Sequence, residues 1–236
     1  MASDMQSTEM TSGQPIRVKS DKIYSFGKGV LWGGAGDGGA IQEVKRRLDG
    51  TDSASLRKHA DVRSLFERIT FEVNKPRHHR FVEMKLGAPG QVSPSTMGQA
   101  LLAQYDEGQC RVVEFAVDGA STNYDESGYQ AIGSGDIFAR SSLHGYETCS
   151  LNLDQAKILA YMTVQKAIDI AAYGLGYPID VWTLSRRGES TVVQRVSDQD
   201  KRVLADTAKT IWQGQIEVFA GFSQEKSGQQ SRSTNR

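Results

Sequence analysis

The sequence predicts an α+β fold, a four-layer αββα sandwich in which two antiparallel sheets pack face to face with helices outside each. Three observations carry this. Helical segments come in pairs. The strands between them come as hairpins joined by acidic-glycine turns, which antiparallel sheets use and parallel sheets do not. A glycine-dense turn joins the apolar run Val30-Leu31-Trp32 to the amphipathic run 40–48. One domain is expected over residues 1–222, followed by a tail.

Five of the seven residues Gly33-Gly34-Ala35-Gly36-Asp37-Gly38-Gly39 are glycine. Such a block allows backbone to pass where a Cβ would collide, or to take φ > 0. It also fits G-x-G-x-x-G from Gly34, which marks a dinucleotide site only when a second strand follows about 20 residues on. Residues 53–62 are polar and do not alternate, and Leu65, Phe66, Ile69 and Val73 follow at helical spacing. The nucleotide reading is therefore disfavoured. A turn under tight packing remains the plain alternative.

Two helices are expected near 40–73. Pro76, His78-His79, Pro89-Gly90 and Pro94 suggest a long surface loop over 74–95, with a short strand at 80–85. Strands follow at 99–105 and 110–117, flanking Asp106-Glu107-Gly108, and a further strand at 128–132. Helices are expected at 136–144 and from Asn152 or Asp154 to about Ala172, stopped by Gly174 and Gly176. Strands at 179–184 and 191–196 form another hairpin, and a helix over about 200–219 closes the fold. Residues 223–236 contain no hydrophobic residue and are expected to be disordered.

Composition narrows the functional classes. Hydrophobic residues make up 38% and charged residues 24%, an ordinary globular mix. Lys+Arg and Asp+Glu balance at 28 each, so no charge excess points to nucleic acid or an anionic membrane. Cys110 and Cys149 match no metal spacing and read as reduced core thiols. His78-His79 read as solvent-exposed, with no cluster to hold a metal. Trp32, Trp182 and Trp212 read as core or interface anchors. No apolar run is long enough to span a bilayer and no secretory signal opens the chain, so a cytoplasmic location without metal or cofactor is expected.

Several short blocks, in this order, carry a resemblance. Ala2-Ser3-Asp4-Met5-Gln6-Ser7-Thr8, Ser20-Asp21-Lys22-Ile23-Tyr24, Gly33-Gly34-Ala35-Gly36-Asp37, Ala131-Ile132-Gly133-Ser134-Gly135 and Pro178-Ile179-Asp180-Val181 are similar to segments of the proteasome-type N-terminal-nucleophile (Ntn) hydrolases. That group contains proteasome β subunits and their bacterial relatives, and the likeness runs from residue 2 to about 220.

The resemblance implies threonine-type peptide-bond hydrolysis in a homo-oligomeric ring, on peptide or unfolded protein, with an ATPase as a regulator. It implies that Asp4 orients Lys22, and that the Lys22 charge favours deprotonation nearby. Gly33 is implied as the backbone oxyanion donor and Ser134 as the serine beside the terminal amine. Thr8 is implied on the strand that pairs with substrate, which would add as a further strand. Taken singly, each also has a structural reading. Asp4 is then a turn acid, Lys22 a solvated strand-end lysine, Gly33 a packing position and Ser134 a helix N-cap before Asp136.

The chain also departs from the pattern. Ala2 to Asp4 resemble the end of the family's second strand, so the first strand with its threonine is expected upstream and Met1 is expected to be an internal methionine. Without that strand the chain is expected to be inactive, to leave backbone groups unpaired and to need a partner. The family's later Asp and Ser have no clear equivalents near Ala172 and Leu175. The runner-up function is a non-catalytic subunit of a proteasome-like ring.

Overall fold

A computed structural model describes the backbone of residues 1–11, 14–56, 58–87, 98–146, 150–171, 174–188 and 190–233. It divides into two compact units, Met1–Val196 and Ser197–Arg236.

Among the described residues, the first unit holds three antiparallel sheets. Strands β1 (Ala2–Asp4), β9 (Ile179–Arg187) and β10 (Ser190–Arg195) form one, in the order β1-β9-β10. β2 (Gln6–Thr11) and β3 (Gln14–Lys19) form a hairpin. β4 (Ile23–Phe26), β5 (Val30–Gly36), β6 (Gly98–Asp106), β7 (Gln109–Phe115) and β8 (Ser121–Asn123) form a five-stranded meander. Helices α1 (Gly38–Asp49) and α2 (His59–Gly87) pack on this meander. Helices α3 (Asp136–Leu143) and α4 (Leu153–Ala171) pack on each other, and α4 packs on β1 and β9.

Each element follows from its sequence. In α1 the buried residues Ala40, Ile41, Val44 and Leu48 recur every three to four positions, the period of one helix face. Asp37 caps it by accepting from the Ala40 N–H at 2.7 Å. α2 buries Val62, Leu65, Phe66, Ile69 and Val73 on the same principle. β6 alternates, burying Ala100, Leu102 and Gln104 on one face. The core forms where these faces meet. Trp32 and Phe66 are fully buried with ring centroids 5.9 Å apart, and Phe66 stacks on Phe115 at 5.4 Å. Each such side chain contributes about 1.5–3 kcal/mol of transfer free energy.

The meander explains the glycine block. A Cβ on Gly34 would lie 2.5–2.9 Å from three carbons of Ile41, and one on Gly98 would lie 2.9 Å from Ile41 Cδ1. Two strands of one sheet are thus bare where the first turn of α1 sits down. A 3₁₀ turn at Ser53–Ser55 and then α2 follow α1. The second strand that a dinucleotide site needs is replaced by helix, which removes that reading.

Three sequence expectations are corrected. Residues 74–87 are helix, not loop or strand, because α2 runs through Pro76. Proline removes one donor, but the residues that follow it up to Leu86 include no further breaker, and Arg77 Nη1 donates to the Val73 carbonyl at 3.0 Å. Residues 88–97, with Pro89-Gly90 and Pro94, lie outside the described residues. The strand expected at 128–132 is absent and the fifth meander strand is β8, closer to the Asp118-Gly119 turn. Cys110 is a free thiol on the exposed start of β7 rather than in the core, while Cys149 lies outside the described residues.

The second unit is one helix, α5 (Asp198–Ser233). Ser197 and Asp200 open it with reciprocal bonds of 3.1 and 2.7 Å. The expected tail over 223–236 falls where side chains are not described. No described helix is long and apolar enough to cross a membrane.

Candidate functional site

The sequence-selected residues converge at the junction of β1, the turn before β4, β5 and two loops. Asp4 ends β1 with its side chain only 7% exposed. Lys22 Nζ donates to both of its oxygens, at 2.9 and 3.0 Å. The turn acid and the solvated lysine are therefore one partly buried ion pair, with the carboxylate as its buried member. Two backbone donors complete the carboxylate: the N–H of Gln6 at 3.1 Å and that of Gly176 at 3.4 Å, both to Oδ2. Charge-assisted hydrogen bonds of this kind hold a carboxylate in place.

β5 is tied to Lys22 through the backbone. The Gly34 N–H donates to the Lys22 carbonyl at 3.1 Å. Alternation along the strand then directs the Gly33 N–H toward β6, where Gly33 stands opposite Leu101. A Cβ on Gly33 would lie 3.2 Å from the Lys22 carbonyl oxygen and 3.4 Å from Met1 Sδ, so this position holds close-packed backbone. The Met1 amine donates to the Trp182 carbonyl at 2.8 Å, and burial lowers its pKa from the ordinary value.

Ser134 lies in the loop before α3. The N-cap of α3 is Gly135, without a side-chain cap, so the capping role considered for Ser134 is not realised. Its loop packs on the end of β5, where a Cβ on Gly133 would come 3.0 Å from Ala35 Cβ. Gly174, at φ +80°, approaches it from the segment after α4, its Cβ position 3.7 Å from Ser134 Oγ. That segment continues to Gly176, which bonds Asp4. Thr8 sits in the β2–β3 hairpin opposite Arg17, and its side chain lies outside the described residues. Asp4, Lys22, Gly33 and Ser134 thus share one neighbourhood.

Sequence reasoning missed four neighbours. Asp180, fully buried and opposite Ser3 in the β1–β9 register, accepts from Arg195 Nε at 2.9 Å and Trp182 Nε1 at 2.8 Å. Arg195 also reaches Asp21 at 2.8 Å, holding the residue next to Lys22. The Asp180 carboxylate raises the Arg195 pKa above its ordinary value. Gln6 and Gly176 complete the group. Their sequence separations, up to 174 residues, leave no local pattern to read.

Among the described residues no group of three or more His, Cys, Asp or Glu could hold a metal ion. Surface grooves of about 430 and 340 Å³ lie elsewhere, one against α1 and α2 and the other beside His59 and Arg111.

This arrangement can be compared with known proteins. No family model matches the chain. Its likeness to solved structures is high in shape and low in sequence. It matches an Anbu (ancestral beta-subunit) from Yersinia bercovieri with a TM-score of 0.70 at 16% identity, over 93% of this chain and 90% of that one. The fold is that of the Anbu proteins. An Anbu (Gly-1) mutant from Hyphomicrobium sp. strain MC1 matches with a TM-score of 0.65 at 14% identity, over 92% and 90% of the two chains. The helical assembly of the Anbu complex from Pseudomonas aeruginosa matches with a TM-score of 0.67 at 16% identity, over 93% and 90%.

A curated proteasome subunit beta from Mycolicibacterium gilvum is 34% identical over 97 residues, which is 39% of this chain and 32% of that protein. The chain thus spans about a third of the length of the curated relative it matches. These findings correct the sequence resemblance. These three solved structures, which cover nearly the whole chain, are Anbu proteins, whereas the likeness to the curated proteasome subunit beta is confined to 39% of this chain.

Proposed function

We propose that this chain is a subunit of an Anbu-type, proteasome-like assembly and that the Asp4–Lys22 pair is the charge-handling part of an acyl-transfer site for peptide bonds. The observation that carries this is the partly buried ion pair joined to β5 through the Lys22 carbonyl. A lysine held as a cation beside a reacting hydroxyl favours its deprotonation. Asp4, fixed by two backbone N–H groups, holds that cation in place. Gly33 lets backbone pass against Lys22 without a side chain, and as an oxyanion donor it would have to open its bond toward β6. Ser134 supplies a hydroxyl on the far side of the same cluster. Thr8 lies on the hairpin where an extended peptide would add. The sheets and flanking helix pairs are read as the αββα sandwich, the location as cytoplasmic, and the assembly as a homo-oligomeric ring or helix with an ATPase as a further partner.

A second reading, a non-catalytic subunit of the same assembly, is favoured by one observation. Among the described residues no hydroxyl is bonded to Lys22 Nζ. Incubating the purified chain with a panel of fluorogenic peptides and a hydroxyl-directed β-lactone probe, followed by mass spectrometry, decides between them. Turnover abolished by Lys22→Ala, with probe on a single residue, supports hydrolysis. Multi-subunit particles by light scattering without turnover support the structural subunit. A monomer without turnover refutes both.

A further inference from the structure

We propose that Gln6 and Gly176 form a latch that positions the Lys22–Asp4 pair and couples it to Ser134. The proposal rests on reading that pair as the functional centre. Asp4 Oδ2 receives three donors, from Lys22, Gln6 and Gly176. The Gly176 bond is the longest at 3.4 Å and depends on the path of the segment after α4.

That path is set by the Gln6 side chain. Gln6 is 8% exposed and its carboxamide occupies the space a side chain on Gly176 would need. A Cβ on Gly176 would fall 2.7 Å from Gln6 Cδ, closer than real Cβ contacts come, and a tight 3.3 Å from Gln6 Cβ. The constraint is one of space, because the φ of Gly176 lies outside the left-handed range. Gln6 Nε2 is buried without a protein partner among the described residues. A buried amide left in that state costs stability rather than adding to it.

The segment works at both ends. Gly174 turns at φ +80° beside Ser134, Leu175 packs against Gly135 and Gly176 reaches Asp4. Three residues therefore join the Ser134 loop to the ion pair. They occupy the stretch where the sequence lacks the later Asp and Ser expected from its resemblance. Gln6 and Gly176 are positioning residues here, acting through Asp4.

The test is a double-mutant cycle with Gly176→Ala and Gln6→Ala in the full chain, read by the water exchange of the Lys22 ammonium protons in ¹⁵N-edited spectra. Gly176→Ala forces the carboxamide out and is expected to speed exchange by about tenfold or more, tenfold being the low end for losing one hydrogen bond to a charged group. Gln6→Ala alone is expected to speed exchange less. The double variant, in which the methyl added at Gly176 finds the space that Gln6 vacates, is expected to return toward wild type. Where peptide turnover is present, kcat falls in Gly176→Ala with KM unchanged.

Exchange unaltered in Gly176→Ala, or no recovery in the double variant, overturns the latch. If Gly176→Ala does not fold, Gln6→Ala with unaltered exchange overturns it equally. Altered exchange with no turnover in any form leaves the latch standing and removes the catalytic reading instead.

Discussion

Replacing Lys22 by Met keeps the aliphatic stem and removes the charge, so it isolates the ion pair. The Asp4 side chain is 7% exposed and that of Lys22 is 23% exposed, so the carboxylate would stay buried without its counter-ion. Removing one partner of a buried pair costs about 3–5 kcal/mol. The lower end applies here, because the Gln6 and Gly176 N–H groups remain on Asp4. We therefore expect a loss of about 3 kcal/mol in urea denaturation at pH 7 with the m-value unchanged. For a domain of this size that is a fall in Tm of about 6–12 °C. Asp4→Asn in the same background removes the stranded charge, and the double variant is expected to lose only about 1 kcal/mol, about 2 kcal/mol less than Lys22→Met alone. If Lys22→Met costs less than about 0.5 kcal/mol, the value for a surface change, the pair is not the partly buried, committed interaction described and the site loses its anchor.

Three further outcomes follow from the geometry. Arg195→Met strands the fully buried Asp180 and is expected to cost about 3 kcal/mol by thermal unfolding, with most of it regained in Arg195→Met/Asp180→Asn. Gly34→Ala drives a methyl into Ile41 and is expected to cost about 1–3 kcal/mol by chemical denaturation, relieved when Ile41→Ala is added. The Glu67 carboxyl, held below its ordinary pKa of 4.5 by Ser121 and then Arg63, favours its ionised form in the fold. Its contribution is present above pH 4.5 and lost as pH falls through the lowered value, so Glu67→Gln is expected to be less stable than wild type at pH 7 and equal to it in strong acid.

The strands β6, β7, β9 and β10 were legible because alternation and acidic-glycine turns are local signals. α4 was legible because its apolar face repeats at helical spacing. The first half of α2 was legible from its apolar spacing up to Val73, but its second half was not, because Pro76 and the two histidines read as loop, while burial up to Val73 had already committed the helix and His79 pairs with Glu83 one turn on at 3.1 Å. Asp4 and Lys22 could be chosen from motif order, yet their burial could not, since it depends on β9 covering β1 from more than 170 residues away. Gln6 and Asp180 stand in the blocks that carry the resemblance and Gly176 reads as a helix stop, yet neither they nor Arg195 could be marked as part of a site from the sequence. Each is an ordinary residue type whose meaning is a distance to something remote.

The glycine block shows why fold and candidate site are hard to separate in this chain. Gly34 faces Ile41 with its missing side chain and Lys22 with its N–H. The same peptide therefore seats α1 on the sheet and fixes the backbone of the lysine. Gly33, one residue earlier, leaves room beside the Lys22 carbonyl that any side chain would narrow to 3.2 Å. Swapping these two glycines for alanine should thus give different failures. Gly34→Ala disturbs α1 first, in the core, and Lys22 second. Gly33→Ala leaves the core cluster untouched and presses on the Lys22 backbone directly. Core-directed loss of stability in Gly34→Ala alone, with the Lys22–Asp4 spectrum altered in both, is the pattern this geometry requires.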